Sequence, residues 1–194
     1  MTQETTIKNN PIDIPIKWGI IISVINIVLY TILNKYVMNG NNMTFYYVGV
    51  GSTFVLTIVL LSVVARLQRT AMGGYITFKE CFRALFIAIL IICVTSFLYQ
   101  FLYSNFIDPN FLVRMKESSL AFAEKMGAPQ EQLDATAEQL DKQIAESGSF
   151  SRQLLSVVWA IVFYSIIGFV ITAIIRKKKP FFTEDTATSQ QFEQ

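Results

Sequence analysis

Few residues of this sequence have the types and spacing that chemistry requires. A nucleophile needs a base beside it, and a metal needs several His, Cys or carboxylate ligands, yet the chain has no His and only two cysteines. Cys81 and Cys93 fall on one predicted helix, 12 residues apart. That separates them by about 18 Å, whereas a disulfide needs Cα atoms within about 7 Å. Both are expected to be free thiols, and a zinc site, a haem site and a Cys-His nucleophile are unsupported. Glu80 and Arg83 are three residues apart and could act as an acid and its activator, but a solvated pair at a helix start is the favoured reading. Glu117, Glu124, Glu131, Asp134, Glu138 and Asp141 lack calcium-loop spacing and are interspersed with Lys116, Lys125 and Lys142, so they read as a solvated face. Asn26 and Gln100 stand out as polar residues inside apolar runs. They are expected chiefly to hydrogen-bond helices together, and alternatively to line a narrow polar path. With no nucleotide-binding loop and no nucleophile placed beside a base, the chain reads as a non-enzyme. No catalytic residue, metal ligand or cofactor is assigned, and no nucleic acid is expected as a partner.

The elements that would hold these residues are membrane spans. Of 194 residues, 53% are hydrophobic and 15% charged, and the mean hydropathy is +0.45. The apolar residues gather in four runs, at 18–36, 45–65, 84–106 and 154–175, each matching the roughly 20 helical residues that cross a hydrocarbon core. The last three contain no charged side chain, and the first has only Lys35 near its end, as the cost of burying a charge at mid-membrane requires. The first run is too long for the apolar part of a signal peptide and is expected to remain in the mature protein. Thr53, Thr57, Thr95, Ser96, Ser165 and Thr172 add further polar groups within the runs. The small pairs Gly19/Ser23, Gly49/Thr53, Ala84/Ala88 and Gly168/Thr172 give each helix a close-packing face. The fold class is therefore all-α, a compact bundle of four transmembrane helices. Trp159 and Tyr164, deep in the fourth run, are expected to pack rather than to cage a ligand.

Positive charge sets the orientation. With the N-terminus inside, the inner segments carry ten of the 16 basic residues against six acidic ones, and the outer segments six basic against eight acidic. Both termini are thus expected in the cytoplasm, residues 1–17 and 176–194 being the terminal segments. Trp18 and Tyr75 fall at the inner interface, and Tyr36, Phe45, Tyr46, Tyr47, Tyr103 and Phe106 at the outer one. Arg176, Lys177, Lys178 and Lys179 form a membrane-orienting basic cluster after the fourth run, able to attract anionic lipid.

The inner loop, 66–83, contains a Gly73-Gly74 turn and then Thr77 and Glu80 at capping-box spacing, which starts the third helix. The outer segment, 107–152, reads as a helical hairpin between the third and fourth spans. Asp108 caps a helix that opens at Pro109 and stops at Gly127; Pro129 opens a second helix that closes at Ser147-Gly148. Leu133, Ala137, Leu140 and Ile144 form an apolar seam along that second helix. Two helices this short bury little by themselves, so the seam needs cover. The first hairpin helix with the membrane surface supplies one cover; a second copy or another membrane or periplasmic protein supplies the other.

The stretch Gly74-Tyr75-Ile76-Thr77-Phe78-Lys79-Glu80-Cys81-Phe82-Arg83 resembles the G-x-I-S-F-x-E-A-F segment of a bacterial family of small four-helix membrane proteins, domain of unknown function 4199, typical of Bacteroidetes. Thr77 in place of Ser keeps the cap, and Cys81 stands where Ala is common. Asp108-Pro109 before a helix and the basic run after the last span are similar too. The resemblance implies a bacterial inner-membrane location, a periplasmic hairpin and this architecture, and it carries no activity. The leading expectation is a structural or interaction protein, accessory or scaffold, presenting the hairpin to a partner. The alternative is a small oligomeric channel or transporter.

Overall fold

The computed structural model describes residues 12–38, 43–147 and 150–177. The helices are α1 (Asp13–Met38), α2 (Met43–Ala71), α3 (Phe78–Leu102), a π-helical turn (Tyr103–Ile107), α4 (Phe111–Lys125), α5 (Gln130–Ser147) and α6 (Phe150–Ile175). Among the described residues there is no strand, only an isolated antiparallel bridge between Ile76 and Lys177. Lys178 and Lys179 of the basic cluster, Gly148, the first eleven residues and the rest of the tail lie outside the described residues.

Four helices are long and apolar enough to cross a membrane: α1, α2, α3 continued by the π turn, and α6. They have 26, 29, 25 and 26 residues, or about 37 to 44 Å against a hydrocarbon core of about 30 Å. Each outruns its apolar run at one end or both. Hydropathy marks where side chains turn polar, whereas a helix stops where its terminal amides and carbonyls find other partners. Beyond the second run, α2 continues through Arg66 and Arg69 until Gly73 and Gly74, both at positive φ, turn the chain. There Gly73 N–H donates to Thr70 O (3.1 Å) and Gly74 N–H to Arg69 O (2.9 Å). The expected capping box is present at the start of α3: Thr77 N–H donates to Glu80 Oε2 at 3.0 Å and Glu80 N–H to Thr77 Oγ1 at 3.4 Å.

α3 is the central strut, packing against α1, α2 and α6. Ile22, Leu61, Val64, Leu85, Ala88 and Ile89 form a dry core around it, each at most 1% exposed. The small residues do the close packing expected of them. A Cβ on Gly19 would lie 3.3 Å from Ala88 Cα, one on Gly168 would lie 3.1 Å from Ile89 Cδ1, and one on Gly49 would collide with Leu33 Cδ2. Outward apolar faces remain, with Val24, Val59, Leu98 and Ile166 each more than half exposed. Trp159 belongs to that outward face at 68% exposed, and the packing role expected of it is corrected: its register on α6 turns it away from α3. Tyr103, expected among the interfacial aromatics, is instead 4% exposed.

At the end where α2 and α6 stop, the chain is strapped together. Ile76 N–H donates to Lys177 O (3.0 Å), Lys177 N–H to Ile76 O (3.2 Å) and Arg69 Nη1 to Ile175 O (3.4 Å).

Gly19→Leu should destabilise the protein by about 1 to 3 kcal/mol through overpacking. Gly51→Leu, where no atom lies within 4 Å of the added Cβ, should leave the unfolding midpoint in detergent unchanged.

Candidate functional site

The far end of α3 is shaped by competition for its carbonyls. Ser104 Oγ donates to Gln100 O and Asn105 Nδ2 to Phe101 O, both at 2.8 Å. With those acceptors engaged, the backbone widens into the π turn, and Asp108 N–H reaches Tyr103 O at 2.8 Å. The wider turn carries Asp108 inward, to 6% exposed, where its carboxylate pairs with Arg114. The expected capping role of Asp108 is therefore corrected. Its main-chain carbonyl, not its carboxylate, receives the Phe111 amide at 3.0 Å, and α4 begins at Phe111 rather than Pro109.

The hairpin otherwise closes as its sequence dictates. Gly127 at φ 81° ends α4, with Ala128 N–H on Ala123 O at 3.1 Å, and Pro129 accepts from Gln132 and Leu133 at the start of α5. The seam residues Leu133, Ala137, Leu140 and Ile144 are half-buried while the rest of α5 is mostly exposed. Leu140 and Ile144 share a cleft of about 230 Å³ with Leu112 and Met115 of α4, and Lys116 pairs with Asp141 across the hairpin. The seam thus faces α4.

A chain of contacts fixes the hairpin to the long helices. Thr31 Oγ1 lies 3.0 Å from the Tyr99 hydroxyl, and Asn34 Nδ2 donates to the same oxygen at 3.4 Å. Tyr99 meets Tyr103 at 5.7 Å between centroids, and Tyr103 meets Phe111 edge-on at 5.3 Å. Tyr47 of α2 touches Phe122 of α4 at 6.1 Å.

Beneath α4 a cavity of about 440 Å³ runs down between α1, α3 and α6, with Leu112 over it. It brings together the two polar residues singled out in the sequence, but in different roles. Asn26 is 4% exposed at the cavity's deep end, its Oδ1 3.2 Å from Thr57 Oγ1, so it ties α1 to α2 as expected of a helix contact. Gln100 is exposed and, with Ser156, marks the mouth between α3 and α6. From Cys93 to Ser104 the cavity follows α3 for about 16 Å. One helical turn below its floor, Ile22, Leu61 and Ile89 fill the core. Every lining residue is uncharged. Sequence reading missed Tyr30, Ser104 and the Asp108–Arg114 pair, and Tyr164, expected to pack, both packs on Phe54 and Phe163 and lines the cavity. The hydroxyls look like ordinary span residues until the divergence of α6 from α3 is known.

Cys81 and Cys93 are both free and buried on α3. Among the described residues, no group of three or more His, Cys, Asp or Glu side chains is placed to hold a metal ion.

A family model described as "Protein of unknown function (DUF4199)" matches residues 17–177, from the first turns of α1 to the bridge at Lys177. The chain belongs to this family. No curated protein and no solved structure matches it. The region shared with the DUF4199 family includes every residue of the cavity and the whole hairpin, and with its four apolar helices the chain is a membrane protein.

Removing one partner of the Asp108–Arg114 pair leaves the other charge without its counter-ion. With Arg114 a third exposed, Asp108→Asn or Arg114→Met should cost about 2 to 3 kcal/mol, at or below the low end for buried pairs. The double variant should recover part of the loss, read as the detergent unfolding midpoint.

Proposed function

We propose that the chain is a multi-pass protein of the bacterial inner membrane, with both termini cytoplasmic and the α4–α5 hairpin in the periplasm. It acts as an accessory or scaffold protein rather than an enzyme. The supporting observation is the separation of charge between the two ends of the long helices. Lys17, Arg66, Arg69, Lys79, Arg83, Arg176 and Lys177 gather where α1 and α3 begin and α2 and α6 end, while Glu117, Glu124, Glu131, Asp134 and Glu138 lie on the hairpin. Basic residues flanking spans are retained on the cytoplasmic side. Lys177 Nζ also sits 5.7 Å over the Tyr75 ring at the basic end, and the cluster continued by Lys178 and Lys179 attracts anionic lipid at about 1 kcal/mol per charge.

The bilayer is the constant partner. The second partner is another membrane or periplasmic protein, or a further copy of this chain, held on the hairpin. Because the seam is turned to α4, the surface left for that partner is the outward face of α5, where Glu131, Asp134 and Glu138 are exposed.

With Cys81 and Cys93 replaced by Ser, an impermeant thiol reagent should label Glu131→Cys in intact spheroplasts and miss Lys79→Cys; the reverse pattern would invert the topology. In-cell crosslinking followed by purification in mild detergent should recover a specific protein with the wild type and lose it with Glu131→Lys/Glu138→Lys. Recovery of this chain alone would make the assembly a homo-oligomer.

The second reading, a small oligomeric channel or transporter, draws on the cavity holding Asn26 and Gln100. Within one copy the apolar layer of Ile22, Leu61 and Ile89 lies across the way, so flux would require this layer to part or a pore to form between copies. Solute flux in proteoliposomes altered by Gln100→Leu would favour it, and absence of flux across a broad panel of solutes would reject it.

A further inference from the structure

We infer that the cavity between α1, α3 and α6 is a binding site for an uncharged amphiphile, a molecule carrying hydroxyl or carbonyl groups beside a hydrocarbon part. This goes beyond the accessory role and does not depend on which protein the hairpin holds.

Several side chains with unused hydrogen-bonding capacity meet at this place. Many small hydroxyls of the long helices return to the carbonyl four residues back, Ser23 to Gly19 and Ser52 to Val48 at 2.8 Å, Thr53 to Gly49 at 2.9 Å and Ser62 to Ile58 at 3.0 Å, although the buried Ser165 and Thr172 hydroxyls do not. Ser96 makes no such bond, and the Tyr30 and Tyr164 hydroxyls and the Gln100 carboxamide have no hydrogen-bond partner among the described residues. Asn26 is bonded through one end only. Thr57 Oγ1 has one proton and two acceptors within reach, Asn26 Oδ1 at 3.2 Å and Thr53 O at 2.9 Å. Whichever end of the amide faces Thr57, the other is left to the cavity. Polar groups in so apolar a setting cost free energy unless something meets them.

The ligand's charge and shape follow from the walls. No carboxylate, ammonium or guanidinium lines the cavity, so an ion entering it would give up its hydration with no counter-charge in return. A neutral group with both donors and acceptors loses less, because carboxamides and hydroxyls answer either. Between the polar groups stand Ile92, Phe97, Val157 and Leu112, which suit hydrocarbon. The volume of about 440 Å³ falls in the range of about 300 to 1,000 Å³ typical of small-molecule sites. Its mouth, at Gln100 and Ser156, opens between two membrane-length helices near the hairpin, within reach of a lipid-borne ligand or of one arriving from the adjoining water.

The test is native mass spectrometry of the full chain released from detergent micelles, with monoolein, oleate or oleylamine added at equal concentration. Monoolein should be retained at least about tenfold more than either charged analogue. Ser96→Phe, which fills the cavity, should lose the adduct, and so should Gln100→Leu, an exposed position where folding is not at stake. Addition of water-soluble monobutyrin separates the two sources: displacement of monoolein by monobutyrin assigns the site to ligands from water, and failure to displace assigns it to membrane-borne ones. Retention of oleate or oleylamine equal to monoolein would overturn the inference, as would adducts that persist unchanged in folded Ser96→Phe and Gln100→Leu.

Discussion

A polar group in hydrocarbon that lacks a partner costs several kcal/mol, and this constraint governs side chains as well as backbone. In the half of the molecule at the basic end it is met mostly by apolar filling, with the buried Ser23 hydroxyl returned to Gly19 O. Ile22, Leu61, Leu85 and Ile89 fill the space around the centre of α3. Toward the hairpin it is met by pairing: Thr57 with Asn26, Thr31 and Asn34 with Tyr99, Asp108 with Arg114. The Tyr30 and Tyr164 hydroxyls and one end of the Asn26 amide meet around one cavity, and these polar groups set it apart from an ordinary packing fault. A fault lined by aliphatic side chains would need nothing to fill it.

The position of α3 makes this division possible. It touches three long helices and, through the π turn, continues into the hairpin. Ser104 and Asn105 each claim a carbonyl of the last α-helical turns, and the resulting widening swings Asp108 onto Arg114 and Tyr103 onto Phe111. The hairpin is therefore an extension of the helix that walls the cavity, with Leu112 of α4 among its lining. A partner pulling on the hairpin would act on the cavity's cover, and a ligand in the cavity would act on the hairpin's footing.

Much of this was legible in the residues and some was not, for physical reasons. The four spans follow from uninterrupted apolar runs. The α3 start follows from Thr77 and Glu80, and the hairpin stop from Gly127, because each depends on neighbours a few positions away. Small-residue spacing identified the faces of Gly19, Gly49 and Gly168. The Asp108–Arg114 pair was hidden because a spacing of six matches no helical neighbour; it forms only because the chain turns at Pro109 and Asn110. Asp108 before Pro109 looks like a cap in sequence, and nothing local shows that the π turn has rotated it inward. The outward position of Trp159 was hidden because composition alone cannot tell the packed side of a helix apolar on every face. The cavity depends on how far α6 stands from α3, a tertiary quantity that leaves no local pattern.

Thiol accessibility along the cavity axis tests the central claim, a neutral cavity open toward the hairpin and closed below Asn26. Gln100→Cys, Ser96→Cys and Ile89→Cys would be made singly with Cys81 and Cys93 replaced, and exposed in oriented membranes to a small impermeant methanethiosulfonate from either side. Reaction from the hairpin side at Gln100→Cys and more slowly at Ser96→Cys, with Ile89→Cys inert from both sides, is the predicted result. Reaction at Ile89→Cys, or at Ser96→Cys from the basic side, would contradict it.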